Sequence, residues 1–288
     1  MHALAVVFIA FGMSACDVIE EDGQNGEQEE AEVISQEISE SEAEEAREFW
    51  TPQRLEQAEP VDPGWIDHEE QDPPALTEPE IPGPDVQVMQ SRGVLPDSIE
   101  KGQSGRFKIQ KDTAVHEASQ VSANYTQYPY RTVGRVFFTK NEDWSSCSAA
   151  VIASENQSVV WTAGHCVSER GNEDWHDNWI FIPAYNNGNE PLGRWSARVK
   201  ATFVAWHSNG NRNYDLGAVV VEQRENRSIA SVTGSLGWMF SAQRDQDWRQ
   251  LGYPASGSLF SGQNMWECFA PYDGADGVGS DPGPGHRP

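Results

Sequence analysis

Two short stretches carry the residues best suited to chemistry. Thr162-Ala163-Gly164-His165-Cys166 places an imidazole on a turn of small residues directly after an apolar strand. A histidine backed in this way suits a general base, because its ordinary pKa lies near neutrality and lets it take and return a proton. Fifty positions on, Asn213-Tyr214-Asp215-Leu216-Gly217 sets a carboxylate at the mouth of an apolar run, 216–221. A buried, unpaired carboxylate is costly, so Asp215 calls for a partner. A histidine N–H is a natural one. An Asp in that role fixes the ring's tautomer and stabilises the imidazolium formed when the ring accepts a proton.

The elements that must hold these residues read as short strands. Residues 133–139 are β-branched and aromatic, and 148–153, 158–161, 178–183, 197–207 and 216–221 follow, separated by Gly, Asn, Pro and Ser clusters. Short strands punctuated by turns predict an all-β sandwich or barrel. The pattern by itself does not choose between them.

Five segments narrow the choice. They are Pro129-Tyr130-Arg131-Thr132-Val133-Gly134, the Cys147 and Cys166 pair, Thr162 to Cys166, Tyr214-Asp215-Leu216, and Gly252-Tyr253-Pro254. Together they resemble the trypsin-like serine proteases, in the bacterial secreted branch that includes the glutamyl endopeptidases, over roughly residues 129–270. The resemblance implies a chymotrypsin-like double β-barrel with the active site between the barrels. It implies peptide-bond hydrolysis through an acyl-enzyme, with His165 as the base and Asp215 orienting it. It also implies a Cys147–Cys166 disulfide that pins the histidine's turn. The substrate would be a protein or peptide, with no cofactor and no metal.

The nucleophile is not identified. The family carries its serine in a Gly-x-Ser-Gly-Gly segment, whose backbone N–H groups form the oxyanion hole. Residues 216–288 contain none. The nearest imitation, Gly277-Val278-Gly279-Ser280-Asp281-Pro282, lacks the following glycines, and Pro282 has no N–H to offer. Cys268 is left without a partner among the remaining cysteines. The sequence therefore predicts an incomplete second barrel and a domain that stops short, spanning 131–272, with a Gly/Pro-rich tail over 273–288. Without a serine the chain is expected not to turn over.

The N-terminal third is of another kind. Residues 3–15 are apolar or small, too few to span a bilayer but suited to a secretory signal, and Met13-Ser14-Ala15-Cys16 resembles a lipoprotein signal box. Residues 1–15 are read as that signal and Cys16 as the lipidated residue, whose acyl chains would hold the protein at a membrane surface. Either reading exports the chain to an oxidising compartment, as a cell-envelope lipoprotein or a secreted protein. Of the formal net charge of -25, nearly all lies in residues 17–100, with 26 acids against three bases. Nine of the 17 prolines fall in 51–96. Residues 16–106 are thus expected to be a disordered acidic leader and 107–130 a transition segment. No basic stripe exists to neutralise phosphates, which excludes a nucleic-acid partner. A metal site built from His165, His176, His207 and Asp215 is disfavoured, since no pair has ligand spacing on one element. Two readings of function remain: a serine endopeptidase, and a catalytically inactive protease-like lipoprotein that binds peptides or a partner. Three further residue sets take bland readings. His176 is expected at the surface, His207 in a structural place, and the tryptophans in cores and over edges.

Overall fold

The computed structural model describes residues 7–8, 32–61, 90–98, 118–239, 247–254 and 260–271. In chain order these form β1 (Val7–Phe8), β2 (Val33–Glu37), α1 (Glu40–Phe49), α2 (Pro52–Gln57), β3 (Glu59–Pro60) and β4 (Ser119–Gln120). Then come β5 (Val133–Lys140), β6 (Asp143–Val151), β7 (Val159–Thr162), β8 (Asp177–Pro183), β9 (Trp195–Phe203), the short α3 (Val204–His207) and β10 (Gly217–Val221). The last are α4 (Ile229–Thr233), β11 (Asp247–Gly252) and β12 (Trp266–Pro271).

Six strands close into an antiparallel barrel. β5 pairs with β6 and β8, β6 with β7, β7 with β10, β10 with β9, and β9 with β8. Each of the six strands has a neighbour on both sides, although β8 meets β9 over two residues only. The interior is filled by side chains such as Val136, Phe138, Val160, Phe181 and Val219. The alternate residues of the same strands, Val133, Phe137, Ile180 and Ile182, face outward yet are equally buried. Apolar residues therefore fall on both faces of β5, because both its faces are covered. Each large apolar side chain so buried stabilises the fold by about 1.5–3 kcal/mol.

A second sheet pairs β11 with β12 antiparallel, flanked by β4 and β1. Its Leu251, with Tyr253 and Met265, joins the outward-facing residues of β5 and β8 in one cluster. The described residues thus give one closed barrel and a second, four-stranded sheet.

The leader departs from expectation. Instead of a disordered tether through 106, residues 32–61 and 90–98 are folded onto this body. β2 pairs with β9, and Trp50 (1% exposed) and Leu55 enter the core between the barrel wall and the second sheet. α1 starts at a reciprocal capping box between Ser39 and Glu42 and buries Ala43 and Ala46, while its glutamates stay on the solvent side. Thr51 caps α2, with Pro52 in its first turn. Residues 90–98 run beside 231–239, through bridges Gln90 to Met239 and Val94 to Ser235. Cap residues and apolar spacing outweigh the repulsion among the glutamates. Cys16, Ser280 and the 273–288 tail lie outside the described residues.

Candidate active site

β7 ends at Thr162, and the chain turns through Ala163 into a single 3-10 turn, Gly164–Cys166, that presents His165. A second such turn, Arg212–Tyr214, delivers Asp215 at the mouth of β10. Since β7 and β10 are neighbours in the barrel wall, with Thr162 opposite Gly217, the two turns meet. Asp215 Oδ2 lies 2.7 Å from His165 Nδ1, and Asp215 Oδ1 accepts the His165 backbone N–H at 2.7 Å. One carboxylate therefore grips both the ring and the backbone of the same residue. Both side chains are largely shielded from solvent.

The glycines of the two motifs are explained by this approach. A Cβ on Gly164 would stand 3.0 Å from Asp215 Oδ1 and 3.0 Å from Trp206 Cδ1. One on Gly217 would stand 2.6 Å from the Ala163 carbonyl oxygen. Only a residue without a Cβ lets the turns come this close.

The turn is fastened on its far side. Cys147 and Cys166 form a disulfide with sulfurs 2.06 Å apart, tying the turn to β6. Ring N–H groups reach the carbonyls along the turn. Trp179 Nε1 donates to Cys166 O at 3.0 Å, and His176 Nε2 lies 3.0 Å from His165 O. His176 corrects its surface reading: it is 2% exposed and stacks on Phe138. Burial pushes its pKa down to about 3, so it sits there as a neutral ring. Lys200, also buried, donates to the His176 carbonyl. Burial lowers its pKa to about 8. The sequence hid His176 because its Asp-, Asn- and Trp-rich neighbourhood reads as a polar loop. His207 is buried against Trp175.

Cys147, His165 and Cys166 cluster within 4.8 Å, but both sulfurs are spent in the disulfide. The rings of His176 and His207 are engaged with Phe138 and Trp175. Cys268 is a free cysteine on β12, opposite Gln250.

The order of the barrel strands, the disulfide on the histidine's turn and the abutting histidine and aspartate define a protein of chymotrypsin-like fold. The chymotrypsin-like protease family, which the motifs resemble, fits this chain. No family model and no curated protein matches it. Among solved structures it is similar to the protease Anisep from Arthrobacter nicotinovorans, at 37% identity over 49% of this chain and 64% of that one, with a TM-score of 0.46. It is similar to the thermostable serine protease AL20 from an extremophilic microorganism, at 32% identity over 49% and 65%, with a TM-score of 0.46. A Glu endopeptidase is matched at 20% identity over 55% and 69%, with a TM-score of 0.40. The chain spans just under two thirds of the length of the first two, 64% and 65%.

Proposed function

We propose that this chain carries the base-and-orienter half of an exported serine endopeptidase. The carrying observation is the double grip of Asp215 on His165, at 2.7 Å to the ring and 2.7 Å to the backbone. With Nδ1–H donated to the carboxylate, the lone pair of Nε2 is left for a substrate-side proton. A serine hydroxyl brought to Nε2 would lose its proton to His165 as its oxygen attacks a peptide carbonyl. The ring would then return that proton to the leaving amine. Asp215 would stabilise the imidazolium between the two steps. The disulfide supports an oxidising compartment, hence export. Anchoring through a lipidated Cys16 belongs to the same proposal, as does a protein or peptide substrate.

The test is to read the coding DNA through and past the codon for Pro288 and to express the product. If a Gly-x-Ser-Gly-Gly segment is encoded in that frame or an adjacent one, the extended protein hydrolyses a casein-type substrate and His165→Ala abolishes it. If a stop follows Pro288 and the chain is inert, the alternative of an inactive, peptide-binding lipoprotein replaces the enzyme.

A further inference from the structure

The folded part of the leader does more than touch the barrel: it completes it. β8 pairs with β9 only through Ser196 and Trp195. Beyond that, the same edge of β9 is taken by β2, in register from Val33 opposite Phe203 to Glu37 opposite Val199. The other edge of β9 belongs to β10. The leader's backbone extends the ladder at both ends, Val204 N to Glu32 O at 2.9 Å and Ile38 N to Arg198 O at 2.8 Å. Without β2, a five-residue edge beside the Asp215 turn would be left unpaired. That edge is coupled to the site, since Thr202 Oγ1 donates to Leu216 O at 2.7 Å.

The second half of the segment closes a different gap. Trp50 is buried against Phe137, and its Nε1 donates to Asn178 O at 2.6 Å. Arg135, on β5, is 1% exposed, and its Nη2 donates to Ala58 O at 2.9 Å and Ser146 Oγ at 2.7 Å. A buried guanidinium that loses a carbonyl partner is strongly penalised. Arg194 donates to the carbonyls of Arg47 and Trp50, and Arg47 pairs with Glu222. The barrel surface is thus cut to fit this segment, with apolar sockets, a strand edge and buried donors aimed at its backbone.

We infer that residues 32–61 are a permanent partner of the barrel, which remains bound as a separate chain when the connection over 62–89 is cut. The segment is a structural subunit of the mature protein and not a disposable leader. Two measurements on the full chain decide this, and neither involves peptide hydrolysis, so their failure leaves the proposed function standing. In hydrogen exchange followed by mass spectrometry, amides of 34–37 and 43–49 exchange within about tenfold of those in β5 and β8, as one cooperative unit. Exchange about a thousandfold faster would overturn the inference. In the second, a site-specific protease sequence is placed between 70 and 80 and cut after folding. The two pieces co-elute one to one on native gel filtration and separate only in denaturant. Separation under native conditions would overturn it. Arg47→Glu speeds exchange across α1, and adding Glu222→Arg reverses that. Unchanged exchange in both variants would count against docking through this pair.

Discussion

The barrel of β5–β10 and the sheet of β11–β12 are built from equally short strands, but they are sealed in different ways. In the barrel every strand has a partner on both sides, and Phe138 inside it is fully buried. The second sheet runs out to β1 and β4, strands of two residues each, and its Phe269 is 40% exposed. Both His165 and Asp215 hang from the closed wall, on adjacent strands. The geometry of the His165–Asp215 pair is therefore set by one barrel, and the second sheet lies outside it. On the proposed function, a serine and its oxyanion donors would meet a histidine that is already positioned.

The largest expected effect lies at the dyad. Asp215→Asn keeps the shape but places an amide where Nδ1–H needs an acceptor, favouring the wrong ring tautomer. In a form of the protein that turns over, kcat falls about 10⁴-fold, as it does when the Asp of a Ser-His-Asp triad becomes Asn, with thermal stability little changed. A loss below about tenfold in steady-state kinetics would reduce Asp215 to a structural role.

The next comparison sets the two regions against each other directly. Phe138→Ala empties a site inside the barrel and costs about 3–5 kcal/mol in urea unfolding, whereas Phe269→Ala on the second sheet costs less than about 1 kcal/mol. Equal losses would mean that the two are equally sealed. Removing the disulfide, as Cys147→Ala with Cys166→Ala, falls between them at about 3 kcal/mol, read from the same unfolding curves.

The short strands were legible in the sequence because β-branched runs and turn residues mark them, while their closure into a barrel came from the family resemblance and not from the pattern. The pairing of His165 with Asp215 was legible from a histidine following an apolar strand and a carboxylate opening another, whereas the need for Gly164 and Gly217 at their close approach shows only in the fold. The second sheet was less so: Trp266 to Pro271 has no clear alternation. The docked leader was missed because composition dominated the reading. Its glutamates and prolines spell a solvated chain, yet Ser39, Glu42, Thr51 and Pro52 are cap residues, and Ala43, Ala46, Trp50 and Leu55 supply the buried face. His176 was missed for a related reason. Local polarity around it says surface, while its burial is decided by the distant strands carrying Phe138 and Lys200.

A last effect is a pH dependence traced to His176. Its pKa in the folded state is about 3, held there mainly by burial, with the opposing bond to His165 O outweighed and the charges of Lys140 and Lys200 acting in the same direction as burial. Unfolded, the ring titrates near 6.5, so between about pH 6.5 and 3 the unfolded chain binds the extra proton. Stability from this group is therefore complete above about 6.5 and is lost as pH falls, at up to ~1.4 kcal/mol per pH unit. His176→Gln keeps an N–H donor for His165 O but cannot take up that proton. Its stability, followed by circular dichroism in urea from pH 7 to 4, should fall less steeply than the native protein's, by close to one proton. Parallel curves would show that His176 is solvated in the folded protein and does not hold the His165 turn.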